Sequence, residues 1–263
     1  MVEQNGSARG RLVVENVTKR YGDLLALDDI SLTVEPGKFV SIVGPSGCGK
    51  STLLEIVAAL REPTSGRVLF DGEEVKRSST EMGMVFQEES TLPWRTVLAN
   101  VAFPLQIAGM GKEERTQRSL ETLRLVGLSD FKDAYPYQLS GGMRQRVSIA
   151  RMLVTRPRLL LMDEPFGALD EQTRLALGLE LLRVVAETGA SVLFITHSIQ
   201  EAILLSDTVL VMTGRPGRIA MYEEVPLDRP RHLDDLGIES VARLTKEIWQ
   251  SLETEVNRAL EAM

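Results

Sequence analysis

Phe39-Val-Ser-Ile-Val-Gly44-Pro-Ser-Gly-Cys-Gly-Lys50-Ser51 decides the fold: a short apolar run enters a glycine-rich turn, and the turn enters a helical pattern. Residues 44–51 match G-x-x-x-x-G-K-[ST], and they sit where that pattern must sit, between a strand and a helix. Glycines let the backbone curl until successive N–H groups face one phosphate, and the helix that follows points its positive end at the same spot. Gly44, Pro45, Ser46, Gly47, Cys48 and Gly49 are the loop, with Thr52 at its far edge. Lys50 reaches the outer phosphates and Ser51 offers a hydroxyl to Mg²⁺. The helix is predicted from Ser51 to Leu60, closed before Pro63. Cys48, beside a helix N-terminus, is expected to have a lowered pKa and to be protected from alkylation by bound nucleotide.

Upstream, LVVENV and SLTV lie between Leu12 and Pro36 around the turn-like YGD, which predicts a small antiparallel sheet. Downstream, the turn Thr64-Ser65-Gly66 precedes the alternating RVLFD, and GMVF leads to Gln87. From Gln87 to about Arg156 strand patterns vanish, and TVLANVAFPLQIAGM, KEERTQRSLETLRLVGL and GGMRQRVSIARMLV all have helical spacing. Alternation of β and α then resumes: LLLMD, a helix over about 172–188, SVLFIT, a helix over 200–205, and VLVM. After Arg229-Pro230 the chain is polar, with one amphipathic helix near 241–260. The apolar strand Leu159 to Asp163 ends in two adjacent carboxylates. Asp163 can hold Mg²⁺ through water, and Glu164 can polarise an attacking water.

Leu139-Ser140-Gly141-Gly142-Met143-Arg144-Gln145-Arg146 resembles the signature sequence of ABC ATPases. The resemblance runs from Tyr21 to about Ile219 through the P-loop, Gln87, LLLMDEP, Ala168-Leu169-Asp170 and His197 in the family's order. A physical reading stands beside it. Ser140 can cap the helix that begins at Gly141 or Gly142, and glycines without side chains let a phosphate reach the exposed N–H groups, making a second anion site. The resemblance implies an α/β fold: a P-loop NTPase (RecA-like) core with an antiparallel β subdomain and an inserted α-helical subdomain. It divides the chain into a flexible tail over 1–11, an ATPase domain over 12–225 with the helical part at about 88–156, and a helical extension over 226–263.

The resemblance further implies a homodimer stacked head to tail, with two ATP molecules held between the P-loop of one copy and Ser140 to Gly142 of the other. In it Tyr21 lies under the adenine, or is simply a core or turn tyrosine. Gln87 contacts Mg²⁺ or the lytic water, or is an exposed strand end. His197 bonds the γ-phosphate and orients Glu164 or the water, and Asp170 shapes the dimer contact while also suiting a helix cap. EESTLPWRTVLANV, YPYQLSGGMRQR, MDEPFGALDEQTR and GRPGRI are similar to the nitrate, sulfonate and taurine branch of importers. That branch implies a separate membrane permease and, indirectly, an extracytoplasmic solute-binding protein. Leu92, Pro93 and Trp94 are either a docking wall for the permease or internal packing.

Composition trims the rivals. A formal net charge of -7 repels phosphate backbones, which disfavours a nucleic-acid partner and with it a non-transport ABC ATPase acting on nucleic acid or the ribosome. One cysteine excludes an internal disulfide, and His197 and His232 as the only histidines leave little for zinc. No N-K-x-D motif supports a GTPase, and the presence of Lys50, Asp163, Glu164 and His197 argues against an inert interaction module. The first ten residues lack a secretory apolar run and no later stretch could span a bilayer, so the chain is expected to be cytosolic or peripheral at a cytosolic membrane face; the importer resemblance implies the second, at the cytoplasmic face of the cell membrane.

Overall fold

The computed structural model describes residues 9–88 and 90–261, with side chains to Glu255 except within that gap. The tail expected over 1–11 lies outside the described residues for 1–8, as does Glu89 of the EESTLPWRTVLANV stretch. Two sheets organise the rest. β1 (Leu12–Tyr21), β2 (Leu24–Val34), β4 (Ser65–Phe70) and β5 (Glu73–Glu74) form an antiparallel sheet in the order β2-β1-β4-β5. The YGD turn is a hairpin: Tyr21 pairs with Leu24, and Gly22 takes φ 57° between them.

The second sheet has the order β10-β9-β3-β8-β7-β6, built from β3 (Phe39–Val43), β6 (Met82–Val85), β7 (Leu159–Asp163), β8 (Ser191–Ile195), β9 (Thr208–Met212) and β10 (Ile219–Glu224). Its first five strands in chain order are parallel, and only β10 runs antiparallel, at the edge. Every residue of β3, β7, β8 and β9 is buried, which is why these strands read as unbroken apolar runs and not as alternations. Alternation survives in which face each residue serves. Phe39, Leu160, Met162, Val192 and Phe194 join the helices on one side. Val40, Ile42, Leu159, Leu161, Leu193 and Ile195 join α1 (Lys50–Val57) and the antiparallel sheet on the other.

The helical segment holds α2 (Val97–Val101), α3 (Phe103–Ile107), α4 (Lys112–Leu125) and α5 (Gly141–Leu153). TVLANVAFPLQIAGM does not make one helix. Pro104 has no N–H to give to the carbonyl four residues back, so the run breaks at Ala102 into α2 and α3. Likewise α1 stops at Val57, short of Leu60, because Ala59 turns left-handed at φ 53° well before Pro63. α6 (Glu171–Thr188) and α7 (Ile199–Leu205) return the chain to the sheet. α8 (Glu239–Glu261) lays Val241, Leu244 and Ile248 against α7 and β9. Among the described residues no helix is long and apolar enough to cross a membrane.

Candidate functional site

The ends of β3, β7 and β8 converge where parallel sheets expose their carboxyl ends, and the chemistry gathers there. The loop 44–49 leaves β3 and opens α1 with left-handed glycines at Gly47 (φ 74°) and Gly49 (φ 105°). Gly49 has a second constraint, since a Cβ there would lie 2.6 Å from Leu27 Cδ2. Lys50 is buried, and its Nζ donates to the carbonyls of Gly44 at 2.8 Å and Pro45 at 3.0 Å. The ammonium thus sits inside the curl, with the exposed Ser46, Gly47 and Ser51 around it.

Asp163 closes β7 from below. Burial pushes its carboxyl above the ordinary range, the Ser51 hydroxyl pulls it back, and the neighbouring Glu164 pushes it up again. Its Oδ1 is buried without a hydrogen-bond partner among the described residues. A buried carboxylate oxygen left over beside a serine hydroxyl suits a hard divalent cation, and Ser51, Asp163 and Gln87 are all oxygen donors of the kind Mg²⁺ takes.

Glu164 is the pivot. Its backbone is left-handed at φ 45°, a conformation costly for a residue with a side chain, and is held by its N–H to the Ile195 carbonyl at 2.9 Å. Its Oε2 lies 3.1 Å from His197 Nδ1 and accepts from Gln87 Nε2 at 3.4 Å. Three residues from the ends of β6, β7 and β8, far apart in sequence, therefore meet at one carboxylate oxygen.

The helical segment reaches this cluster through α5. Gln145 Nε2 donates to the Phe86 carbonyl at 3.5 Å, and Arg151 donates to Ser90 Oγ at 2.5 Å, so both sides of Gln87 are tied to α5. At the other end of the same helix Ser140 Oγ accepts the Met143 N–H at 3.2 Å, a side-chain cap, and Ser140 is exposed. Gly142 has no room for a side chain: a Cβ would stand 2.8 Å from Leu169 Cδ2 and 3.4 Å from the Ala168 carbonyl. Among the described residues no hydrogen bond joins Ser140, Gly141 or Gly142 to the loop 44–51. Asp170 caps α6 by accepting the Thr173 N–H at 2.9 Å.

Tyr21 ends β1 with its ring exposed, so it is not a core residue; Lys19 Nζ and the Arg61 guanidinium each lie 5.3 Å from the ring centre. Trp94 is 72 % exposed, which removes it from internal packing. The expected lowering of the Cys48 pKa is overturned. Its thiol is buried, and burial outweighs the Lys50 charge, pushing the pKa up. Proximity to a helix start does not lower a thiol's pKa when the sulfur faces the interior.

Sequence reasoning also missed a buttress behind the loop. The turn Thr213 to Arg218 packs on it: Arg215 donates to the Gly47 carbonyl at 3.1 Å, and a Cβ on Gly217 would fall 2.2 Å from the Cys48 carbonyl. GRPGRI was visible as a string, but only the placement of β9 and β10 beside β3 brings it there.

Residues 27–167 match the profile of the ABC transporter family. An ABC transporter ATP-binding protein of Methanocaldococcus jannaschii is 47 % identical, the alignment covering 99 % of this chain and 98 % of that one. A taurine import ATP-binding protein of Rhizobium johnstonii is 51 % identical over 76 % of this chain and 77 % of its own. A nitrate import ATP-binding protein of Synechococcus elongatus is 46 % identical over 80 % of this chain and 32 % of its own length. A bacterial ABC transporter cassette solved as a dimer superposes with a TM-score of 0.76 at 36 % identity, covering 82 % of this chain and all of that one.

The fold and the converging site thus define a P-loop ATPase with an inserted helical part. The chain belongs to the ABC transporter family, as an ATP-binding and ATP-hydrolysing member similar to the taurine and nitrate import proteins.

Proposed function

We propose that the protein powers solute import as a homodimer at the cytoplasmic face of the membrane, docked to a separate permease that is fed by an extracytoplasmic solute-binding protein. The solute is a small anion or zwitterion of the taurine, sulfonate or nitrate kind. One observation carries the reading: the chain holds a complete hydrolytic cluster around Glu164 and, on another part of the fold, a glycine-started helix end capped by Ser140 that has no role within its own site. The similarity to a cassette whose post-hydrolysis dimer binds ADP and Pi supports the same arrangement. Residues 12–225 are the ATPase unit with its helical part at about 88–156, and 226–263 are an extension to it.

Each residue has a role in this reading. Tyr21 stacks on the adenine. The backbone from Gly44 to Gly49 wraps the phosphates, its N–H groups facing them except at Pro45, with Thr52 at the edge. Lys50 exchanges its two carbonyl partners for β- and γ-oxygens. Ser51, Gln87 and Asp163 would hold Mg²⁺, which supplies neutralisation of phosphate charge when bound. Glu164 accepts a hydrogen bond from the attacking water and orients its lone pair toward the γ-phosphorus, with His197 fixing the carboxylate and reaching toward the γ-oxygens. The new bond joins water oxygen to phosphorus as the bond to the ADP oxygen breaks, and the water's proton leaves toward Glu164. Ser140, Gly141 and Gly142 meet the γ-phosphate of the partner copy, and Asp170 shapes that contact, so loss of the γ-phosphoryl group removes the link. Trp94, exposed next to Leu92 and Pro93, anchors the permease.

A strain lacking this gene is expected to lose growth when taurine, an alkanesulfonate or nitrate is the sole source of sulfur or nitrogen. Unchanged growth on all three, with uptake of a chemically different solute impaired, rejects the solute class. Trp94→Ala is expected to lose co-purification with the permease while keeping ATP turnover, and retention of both rejects the docking role.

A further inference from the structure

Glu201, on α7, is buried and lies outside the cluster that meets ATP in this reading. Burial pushes its carboxyl above the ordinary range, while Thr196, Arg174 and His197 draw it back. A carboxylate in such a place must be held by partners, and both of its oxygens are taken. Oε2 accepts from Thr196 Oγ1 at 2.5 Å, and Oε1 forms an ion pair with Arg174 Nε at 3.2 Å, close enough for charge but without hydrogen-bond geometry.

Each partner leads to a different functional segment. Thr196 precedes His197, and its Oγ1 also accepts the Ser198 N–H at 3.0 Å. Ser198 Oγ in turn accepts the Glu201 N–H at 3.3 Å. The residues on both sides of His197 are therefore fastened to Glu201, while the imidazole itself is exposed and held by Glu164 at 3.1 Å. On the opposite side Arg174 donates to the Leu169 carbonyl at 3.2 Å, in the turn that begins at Glu164 and ends at the Asp170 cap. Leu169 is also the side chain that lies against Gly142. One buried carboxylate thus joins the turn carrying His197 to the turn carrying Leu169 and Asp170, by a path that bypasses the nucleotide loop.

We propose that Arg174, Glu201 and Thr196 form a positioning relay that sets His197 against Glu164 according to the placement of the Leu169–Asp170 turn. This rests on the reading above, in which that turn meets the partner copy. Packing of the turn then reaches the imidazole through charged and hydrogen-bonded contacts, so only a correctly seated partner gives a correctly aimed His197. None of the three touches ATP; they act through His197. A misplacement on the scale of a lost hydrogen bond is expected to lower turnover about tenfold while leaving nucleotide binding alone.

The test is steady-state ATP hydrolysis by the full chain, with nucleotide affinity measured separately by titration of a fluorescent ATP analogue. Thr196→Val and Arg174→Gln are expected to reduce kcat about tenfold with KM changed less than about twofold, and Thr196→Ser to restore it. In a His197→Ala background, Thr196→Val is expected to add almost nothing, since its effect passes through the missing imidazole. Additive losses in that pair, or a fall in affinity matching the fall in kcat, overturns the relay. Arg174→Gln leaves the hydrogen bonds of α7 intact, so it reads the relay even if Thr196→Val folds poorly; full activity of Arg174→Gln also overturns it. A wild-type chain that binds ATP without hydrolysing it, alone or with its permease, would instead defeat the underlying reading, a distinct result.

Discussion

The two parts of the proposed ATP site are built differently. Around Glu164 the chain brings together Gln87, His197, Asp163 and Lys50 from separate strand ends, with hydrogen bonds between several of them and a backbone held in a costly conformation. Around Ser140 there is one capping hydroxyl, two glycines and the start of a helix. A helix N-terminus alone attracts an anion weakly, typically by about 0.3–1 kcal/mol at the surface. The first region can position a reaction, whereas the second can only recognise charge brought to it. That inequality is what the proposed composite site requires, because its recognising half must be free to part from its reacting half after each turnover.

The largest effect should come from the reacting half. Glu164→Gln removes the charge proposed to polarise water while keeping the size of the side chain, and turnover is expected to fall about 10³-fold. ATP should then hold the variant as a dimer on size exclusion, whereas wild type passes through that state. Rapid turnover by the variant removes Glu164 from its role, and a monomer at saturating ATP removes the shared site.

The recognising half gives a smaller and more discriminating effect. Gly142→Val must push against Leu169 and cover the N–H groups, so hydrolysis is expected to drop about 10²-fold with single-copy ATP affinity retained. Mixing it with Lys50→Ala sharpens the contrast. Each variant alone is expected to hydrolyse ATP poorly, but a mixed dimer contains one site with an intact loop facing an intact Ser140 end. Turnover above the sum of the two separate variants is expected, and its absence breaks the division of labour.

Gly217→Ala probes the buttress behind the loop. A methyl group 2.2 Å from the Cys48 carbonyl must displace either the loop or the turn that carries Arg215. Loop geometry sets phosphate binding, so KM for ATP is expected to rise about tenfold with kcat much less changed. An unaltered KM shows that the turn yields instead.

The sequence discloses the backbone frame of both regions, but not what packs around them. The loop 44–51, the carboxylates at the end of β7 and the capped α5 each follow from a local pattern of glycine, charge and apolar period, and each lies in the element its pattern implies. What escapes is whatever depends on neighbours distant in the chain. Glu201 sits in a short helix where an acidic residue reads as a solvated face, and only the packing of α7 beneath α6 turns it inward. β10 is a short edge strand after the turn that carries Pro216, and its sequence IAMYEE has no clean alternation of apolar and polar residues to mark it as a strand. The split between α2 and α3 was legible in Pro104 but lost to the helical spacing around it.

Cys48 offers the smallest effect and a direct reading of that difference between local pattern and packing. A position at a helix start argues for a reactive thiolate, yet the sulfur is enclosed, and burial raises its pKa despite Lys50 Nζ at 3.8 Å. Because the folded state disfavours the thiolate, the thiol is neutral through the physiological range, and its cost to stability arises only as pH climbs past the ordinary thiol pKa of about 8.5. Iodoacetamide labelling near pH 7.5 is therefore expected to be far slower than that of a free cysteine and almost indifferent to ATP with Mg²⁺. Cys48→Ala should remove the alkaline loss of stability while leaving thermal stability at neutral pH within about 1 kcal/mol. Fast labelling blocked by nucleotide would mean that the loop opens far enough to expose the sulfur. The enclosing contacts from Met212 and the Gly217 turn would then be too weak to hold the loop in shape before ATP arrives.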